Sequence, residues 1–141
     1  TYLVRPHLEE GWFSSVVMNR NRLSSQILDN LNKAAMIGFS HHEIGERLTS
    51  SWSGEIAQRR VYEDTQECAS EFRQFCLEHN LLDFSLQLEI FSKILLGEPT
   101  VQTYLCQSYQ HLIIDNIEED IPVAHDILAE CITKKPQQLN S

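Results

Sequence analysis

The chain has 141 residues, with 20 acidic and 11 basic side chains and a formal net charge of −9 at pH 7. This length fits one compact domain with a buried core and is too short for two ordinary domains. The acidic balance argues against a protein that binds nucleic acid through a basic surface of its own. Because no apolar stretch approaches the length of a membrane span and no leader-like segment is recognisable, we expect a soluble, cytoplasmic protein without a membrane partner.

Helical periodicity dominates, so the predicted fold class is mainly α: an orthogonal domain of six or seven helices with one short isolated strand near 111–115. The first clear helix covers 22–37, because apolar residues recur there at helical spacing. These residues are Leu23, Ile27, Leu28, Leu31, Ala34 and Ala35. Gly38 is predicted to end this helix in a left-handed conformation. Ser40 then begins the next helix, and Glu43 completes a capping box.

A longer helix is predicted over 56–79, with Asn80 as its left-handed stop. Asp83 is expected to cap the following helix. The predicted buried face of that helix consists of Phe84, Leu88, Phe91, Ile94 and Leu95. A break at Gly97 separates it from a short helix over 101–109.

The apolar run 112–114, Leu-Ile-Ile, is predicted to form the strand, because β-branched residues between polar ones favour a covered, pleated surface. Asp115 then lies at the carboxyl end of this strand, where open α/β sheets place their ligands. Asp120 is a candidate cap for a last helix over 122–132, which Pro122 opens. A polar tail at 134–141 is expected to be disordered.

An isolated strand cannot satisfy its backbone hydrogen bonds, so the sheet to which it belongs is expected to lie outside these 141 residues. The chain begins at Thr1 rather than at methionine, which also favours a segment of a longer protein.

The other polar groups have simpler interpretations. Cys68 and Cys76 fall on one helix face and are expected to be buried, reduced thiols. A histidine and an acidic residue at 42 and 46 are one helical turn apart, but the second histidine of a helical zinc site is missing. Basic residues in the middle of the chain could form a modest basic face, although scattered arginines are usually solvated: Arg47, Arg59, Arg60 and Arg73. Carboxylates at the beginning of a helix are favoured by its dipole and need no metal.

Two segments resemble UvrD/Rep-type superfamily-one DNA helicases and together cover about half of the chain. Residues 62–88 end in Asn-Leu-Leu-Asp-Phe-Ser-Leu-Gln-Leu, which is similar to the Gly-Leu-Val-Asp-Phe-x-x-Leu-Leu segment of that family. Residues 109–128 resemble the strand, the Asp-Glu-x-Gln-Asp loop and the helix that follow in the family, at a fitting distance. The resemblance implies that Asp115 is the Mg²⁺-binding carboxylate and that Glu118 and Glu119 lie beside the nucleotide.

The same resemblance identifies departures from the family. Asn116 stands where the family has the glutamate that activates the attacking water, and an amide cannot accept that proton. Glu118 replaces the glutamine that senses the γ-phosphate, and Asp120 replaces a threonine. The motif therefore keeps the metal-binding anion and loses the hydrolytic pair, which favours a catalytically degenerate motor.

The resulting domain assignment is a helical insertion subdomain at 1–110, the strand, acidic loop and helix of an incomplete motor core at 111–133, and the tail at 134–141. The predicted function is a fragment of a helicase-like, ATP-dependent DNA motor of repair or recombination type. Mg²⁺, ATP and DNA are then ligands of the parent protein, and the remainder of the motor domain is the partner. The isolated chain lacks a Gly-x-x-x-x-Gly-Lys-Ser/Thr loop and is expected to be inactive, without a cofactor of its own and with weak or no DNA binding.

Two alternatives stay open at this point. The first is a non-enzymatic helical module whose acidic loop and unpaired strand form a protein-docking surface. The second is a small helical metalloenzyme that uses Asp115, Glu118 and Glu119, and it lacks supporting histidines.

Overall fold

The computed structural model describes residues 4–17, 19–52, 54 and 56–133, and all regular secondary structure in this part of the chain is helical. The α-helices are α1 Val4–Glu9, α2 Arg20–Ile37, α3 Ile44–Ser50, α4 Ile56–Glu78, α5 Phe84–Lys93, α6 Pro99–Ser108 and α7 Pro122–Thr133. Short 3-10 turns occur at His41–Glu43, Leu95–Gly97 and Ile117–Glu119. The mainly helical prediction is confirmed. Among the described helices, none combines the length with the apolar character that crossing a bilayer requires.

The core is centred on α2, which packs against α4, α5 and α7. One face of α2 is buried along its length, as the helical spacing predicted, through Leu23, Ile27, Leu31 and Ala34. This face belongs to one buried apolar cluster with side chains from α1, from the segment after it, from α3 and from α4. These side chains are Val4, Phe13, Ile44, Cys68 and Ala69. Each large aliphatic side chain buried here stabilises the fold by about 1.5–3 kcal/mol relative to its exposed state.

The predicted helix boundaries around α2 and α3 are confirmed. Gly38 has φ of 94° and donates its N–H to the carbonyl of Ala34 over 2.9 Å, so it ends α2 in the left-handed conformation that glycine tolerates best. Ser40 and Glu43 form the capping box, in which the N–H of His42 donates to Ser40 Oγ and the N–H of Ser40 donates to Glu43 Oε1. The chain therefore turns sharply between α2 and α3, and His41 lies in that turn.

The turn at His41 is held against α4 by Gln66. Gln66 Oε1 accepts from the N–H of Gly45 over 2.8 Å, and its Nε2 donates to the carbonyl of His41 over 3.0 Å. A Cβ atom at Gly45 would lie 2.9 Å from Cβ of Gln66, closer than side-chain contacts allow. Glycine at this position therefore permits α3 to approach α4 and fixes the position of His41.

The connection between α4 and α5 also has the predicted form. Asn80 adopts a positive φ of 53°, and the N–H of Leu81 donates back to the carbonyl of Cys76 over 2.8 Å. Asp83 caps α5 by accepting from the N–H groups of Leu86 over 3.1 Å and Ser85 over 3.3 Å. These local interactions set the start of α5 relative to α4.

The predicted buried face of α5 is wrong in part. Phe84 is 53% exposed, and Ile94 and Leu95 are exposed as well, whereas Leu88 and Phe91 are half-buried. The fully buried positions of α5 are instead Ser85 and Leu86. Ser85 is buried because its hydroxyl accepts from the buried guanidinium of Arg73, a polar contact that apolar spacing does not reveal.

The predicted strand near 111–115 is also wrong as a structural assignment. Residues 111–116 form neither helix nor strand and are exposed, and the structure describes no other strand with which they could pair. A strand requires a partner for its backbone groups, so the apolar run alone cannot form one. The last helix begins at Pro122 as predicted, but Ile121, not Asp120, immediately precedes it. The tail 134–141 lies outside the described residues.

Candidate functional sites

The acidic loop, residues 115–120, contains the residues for which the sequence predicted a function. Asp115, Glu118 and Glu119 are all exposed, and the two glutamates belong to a 3-10 turn over Ile117–Glu119 that begins two residues after the aspartate. The described residues contain no group of three or more histidine, cysteine, aspartate or glutamate side chains arranged to hold a metal ion. The structure therefore places these carboxylates along one exposed loop without bringing them together around a common point. The metal and nucleotide roles stay predictions.

Asn116 adopts a left-handed conformation, with φ of 50° and ψ of 41°. Its carbonyl accepts from the N–H of Glu119 over 2.8 Å and thereby closes the turn. Asparagine is among the few residues other than glycine that tolerate this conformation. The backbone gives a physical reason for asparagine here, besides the loss of a catalytic glutamate that the resemblance implies.

The apolar run before the loop, Leu112–Ile113–Ile114, shows alternating surroundings. Leu112 and Ile114 line a groove of about 310 Å³ between α6 and α7, whereas Ile113 is 90% exposed and does not line it. This alternation does not extend to His111, which also lines the groove, so it is not the sustained period of a β-strand. Within the run, Ile113 is the side chain that points away from the groove.

A second site, which the sequence did not predict, is a cavity of about 190 Å³ at the C-terminal end of α2, here called the α2 cavity. Its walls come from α2, α4, α5 and α7, from the turn that contains His41 and from the 3-10 turn Leu95–Gly97. The buried apolar floor consists of Leu31, Ala34, Leu96 and Val123. Its polar side chains are His41, Arg73, Glu89, Ser92, Lys93, Asp126 and Glu130.

Arg73 of α4 is the most buried charged residue of this cavity, with 4% of its surface exposed. Its guanidinium donates to Ser85 Oγ over 3.0 Å and lies 3.4 Å from Asp83 Oδ1 and 3.5 Å from Glu89 Oε2. Glu89 in turn lies 3.4 Å from Nζ of Lys93. A buried cation of this kind needs such partners, since burying an unpaired charge is costly. The network links α4 to both ends of α5.

The burial of Arg73 corrects the sequence interpretation, which grouped it with solvated arginines. Arg47, Arg59 and Arg60 are exposed, so any basic face formed by these arginines has one member fewer than predicted. The spacing did contain a signal: Arg73 falls four residues after buried Ala69 and three before buried Cys76, on the core-facing stripe of α4. A charged residue within such a stripe predicts a buried ion pair.

His41 has its pKa lowered from 6.5, chiefly because burial penalises its charged form. The neighbouring His42, Arg73 and Lys93 lower it further, and Glu89 opposes them. The neutral imidazole is therefore the favoured form in the folded chain near pH 7.

His41→Gln is expected to flatten the loss of stability on acidification. Because the folded pKa lies below the unfolded value of 6.5, protonation favours the unfolded chain. The contribution of His41 is fully present above the unfolded pKa and is lost as the pH falls through the lowered folded pKa. Urea unfolding at about pH 7 and about pH 5 measures this difference. His125→Gln, at an exposed position of α7, is the control, and equal pH dependence in the two variants would contradict the prediction.

Cys68 and Cys76 are buried free thiols, as predicted. Burial, with smaller contributions from nearby Glu71, Asp64 and Glu67, raises the pKa of Cys68 to about 12. Burial also raises the pKa of Cys76. Because the thiolate is the reactive form, burial disfavours nucleophilic chemistry at both residues.

Comparison of the chain with known protein families, with curated proteins and with solved structures gave no match.

Proposed function

We propose that this chain is the helical part of the first motor domain of a UvrD/Rep-type, helicase-like DNA motor of repair or recombination type, together with the strand and loop that carry its Mg²⁺-binding aspartate. The observation that carries the proposal is the apolar run 112–114, in which Ile113 is open to solvent while its two neighbours line the groove beside α6 and α7. A covering partner on the Ile113 side would turn this run into a buried strand. In the proposed motor, that partner is the parallel sheet of the ATPase core.

The position of Asp115 follows from the same geometry. It comes directly after the apolar run, so completion of the sheet would place its carboxylate at the carboxyl end of a strand. Mg²⁺ binds through one or two carboxylates and through nucleotide phosphates, which the remainder of the motor would hold. Glu118 and Glu119 follow on the exposed turn, and in the proposed motor they lie beside the nucleotide.

The proposal includes a weakened or absent hydrolytic step. Asn116 occupies the position of the general base, and its amide cannot take a proton from water. The isolated chain is therefore an inactive portion of a motor that is itself degenerate in catalysis. Its negative charge and the burial of Arg73 both favour weak DNA binding that decreases with added salt.

The decisive experiment uses the product of the complete reading frame and a fluorescent ATP analogue. Asp115→Asn is expected to weaken Mg²⁺-dependent nucleotide binding by about tenfold or more, because it removes the anionic metal ligand. Asp120→Asn is the matched control, since it removes an exposed carboxylate of the same loop outside the proposed metal position. Equal effects of the two substitutions would contradict the proposal, as would a complete protein without a phosphate-binding loop or robust ATP hydrolysis by the 141 residues alone.

A second candidate function, a non-enzymatic interaction module, is favoured by an apolar groove on the outer side of α5. Leu82, Phe84 and Leu95 line this groove and are exposed. An exposed apolar surface of this kind is typical of a protein contact. In this alternative, Phe84→Asp abolishes binding of a separately encoded partner, whereas Asp115→Asn has no effect on nucleotide binding by the complete protein.

A further inference from the structure

We propose that the α2 cavity binds a small organic amine: a molecule with one ammonium group, a short branched apolar body and an oxygen atom that accepts a hydrogen bond. The inference is independent of the motor proposal, because no residue of the acidic loop lines this cavity. It rests on the size of the cavity, on its charges and on two buried polar groups.

The size and floor of the cavity define the body of the ligand. A volume of about 190 Å³ is below that of the roughly 300 Å³ pockets that hold drug-sized molecules, so the occupant is a small molecule. The floor is formed by buried aliphatic side chains of α2 and α7, among them Leu31 and Val123, and it matches a short branched hydrocarbon group. Burial of such a group supplies the non-directional part of the affinity.

The charged side chains that line the cavity favour a cationic ligand. Both basic side chains of the cavity, Arg73 and Lys93, already pair with Glu89. Asp126 of α7 makes no ion pair with any described residue, and its Oδ2 lies 3.9 Å from the point that a Cβ on Gly38 would occupy. An ammonium group between Gly38 and α7 would therefore meet a carboxylate that has no counter-ion among the described residues.

The dipole of α2 also favours a cationic ligand in this cavity. The cavity lies at the C-terminal end of α2, an 18-residue helix, where the aligned peptide groups carry a partial negative charge. No basic residue occupies the last turn of α2 to compensate this charge. An ammonium group bound beside Gly38 thus gains from the dipole as well as from Asp126.

Two buried nitrogen atoms of the lining residues call for an oxygen acceptor. Arg73 Nε is buried and has no hydrogen-bond partner within the described part of the chain, and the same holds for His41 Nδ1. Nε of arginine is a donor only, so its partner must be an acceptor such as a carbonyl oxygen. Because the pKa of His41 is lowered by burial, its imidazole is neutral near pH 7 and does not repel the ammonium group.

L-Leucinamide is a suitable probe, because it combines an ammonium group, a carbonyl oxygen and a branched apolar side chain. Titration into the isotope-labelled chain, followed by amide nuclear magnetic resonance spectra, is expected to shift the signals of Gly38, Ser92, Asp126 and their neighbours. The amide 4-methylpentanamide lacks the ammonium group and is expected to bind at least about tenfold more weakly.

Asp126→Asn is expected to weaken L-leucinamide binding by about three- to fivefold, the range for an exposed ion pair, while Asp120→Asn, outside the cavity, leaves it unchanged. Asp126 is exposed, so its substitution should not disturb folding. Ala35→Phe provides a second variant, since it fills the cavity from α2 without altering the charges and should abolish binding. Absence of the expected shifts, equal binding of the uncharged amide, or equal affinity of the Asp126→Asn and wild-type chains would overturn the proposal.

Discussion

Arg73→Ala is expected to lower the free energy of unfolding by about 3 kcal/mol, among the largest effects of any single substitution in this chain. The substitution removes the common partner of Asp83 and Glu89 and leaves both carboxylates beside the core. Removal of one member of a buried ion pair costs about 3–5 kcal/mol, and the low end applies because these carboxylates are 18% and 26% exposed. Urea unfolding followed by circular dichroism measures the change.

Arg59→Ala is the matched control. Arg59 also belongs to α4, and its Nε lies 3.3 Å from Oε1 of Glu63. The side chain of Arg59, however, is 70% exposed. Solvent-exposed pairs contribute at most about 1 kcal/mol, so this variant should unfold close to the wild-type denaturant concentration. Similar losses of stability in the two variants would show that the burial of Arg73 does not have the energetic role assigned to it.

The network around Arg73 also explains which parts of the fold the sequence could predict. Helix ends are determined by neighbours in the chain, so Gly38, Asn80 and Asp83 were identified correctly as stop and cap residues. The direction in which a helix faces is determined by tertiary contacts. In α5, Ser85 is buried against Arg73, twelve residues earlier in the chain, and apolar periodicity does not reveal that contact.

The acidic loop and the α2 cavity also differ in how far the sequence could predict them. The acidic loop is a continuous segment, so its residues could be selected from the sequence, but in the described part of the chain they do not converge on a common point. The α2 cavity is assembled from separate elements: His41 follows α2, Arg73 lies in α4 and Asp126 in α7. No local pattern unites these residues, and only the packing of the helices brings them together.

Asn116→Glu in the product of the complete reading frame is expected to raise the rate of ATP hydrolysis by at least about 100-fold. This expectation rests on the proposed motor function, in which position 116 is that of the general base, and a positioned base contributes about 10²- to 10⁴-fold. The rate of phosphate release at saturating ATP and Mg²⁺ measures the effect.

The conformation of Asn116 makes a control for size and backbone strain necessary. Its φ of 50° is left-handed, and a longer side chain at such a position costs about 1–2 kcal/mol. Asn116→Gln has the same length as the glutamate variant and imposes a similar strain, but it carries no carboxylate. A gain in the glutamate variant that is missing from the glutamine variant therefore reports the carboxylate and not the size of the side chain. Equal rates in the two variants, at equal losses of thermal stability, would mean that asparagine is present for the turn and that position 116 is not the site of a lost base.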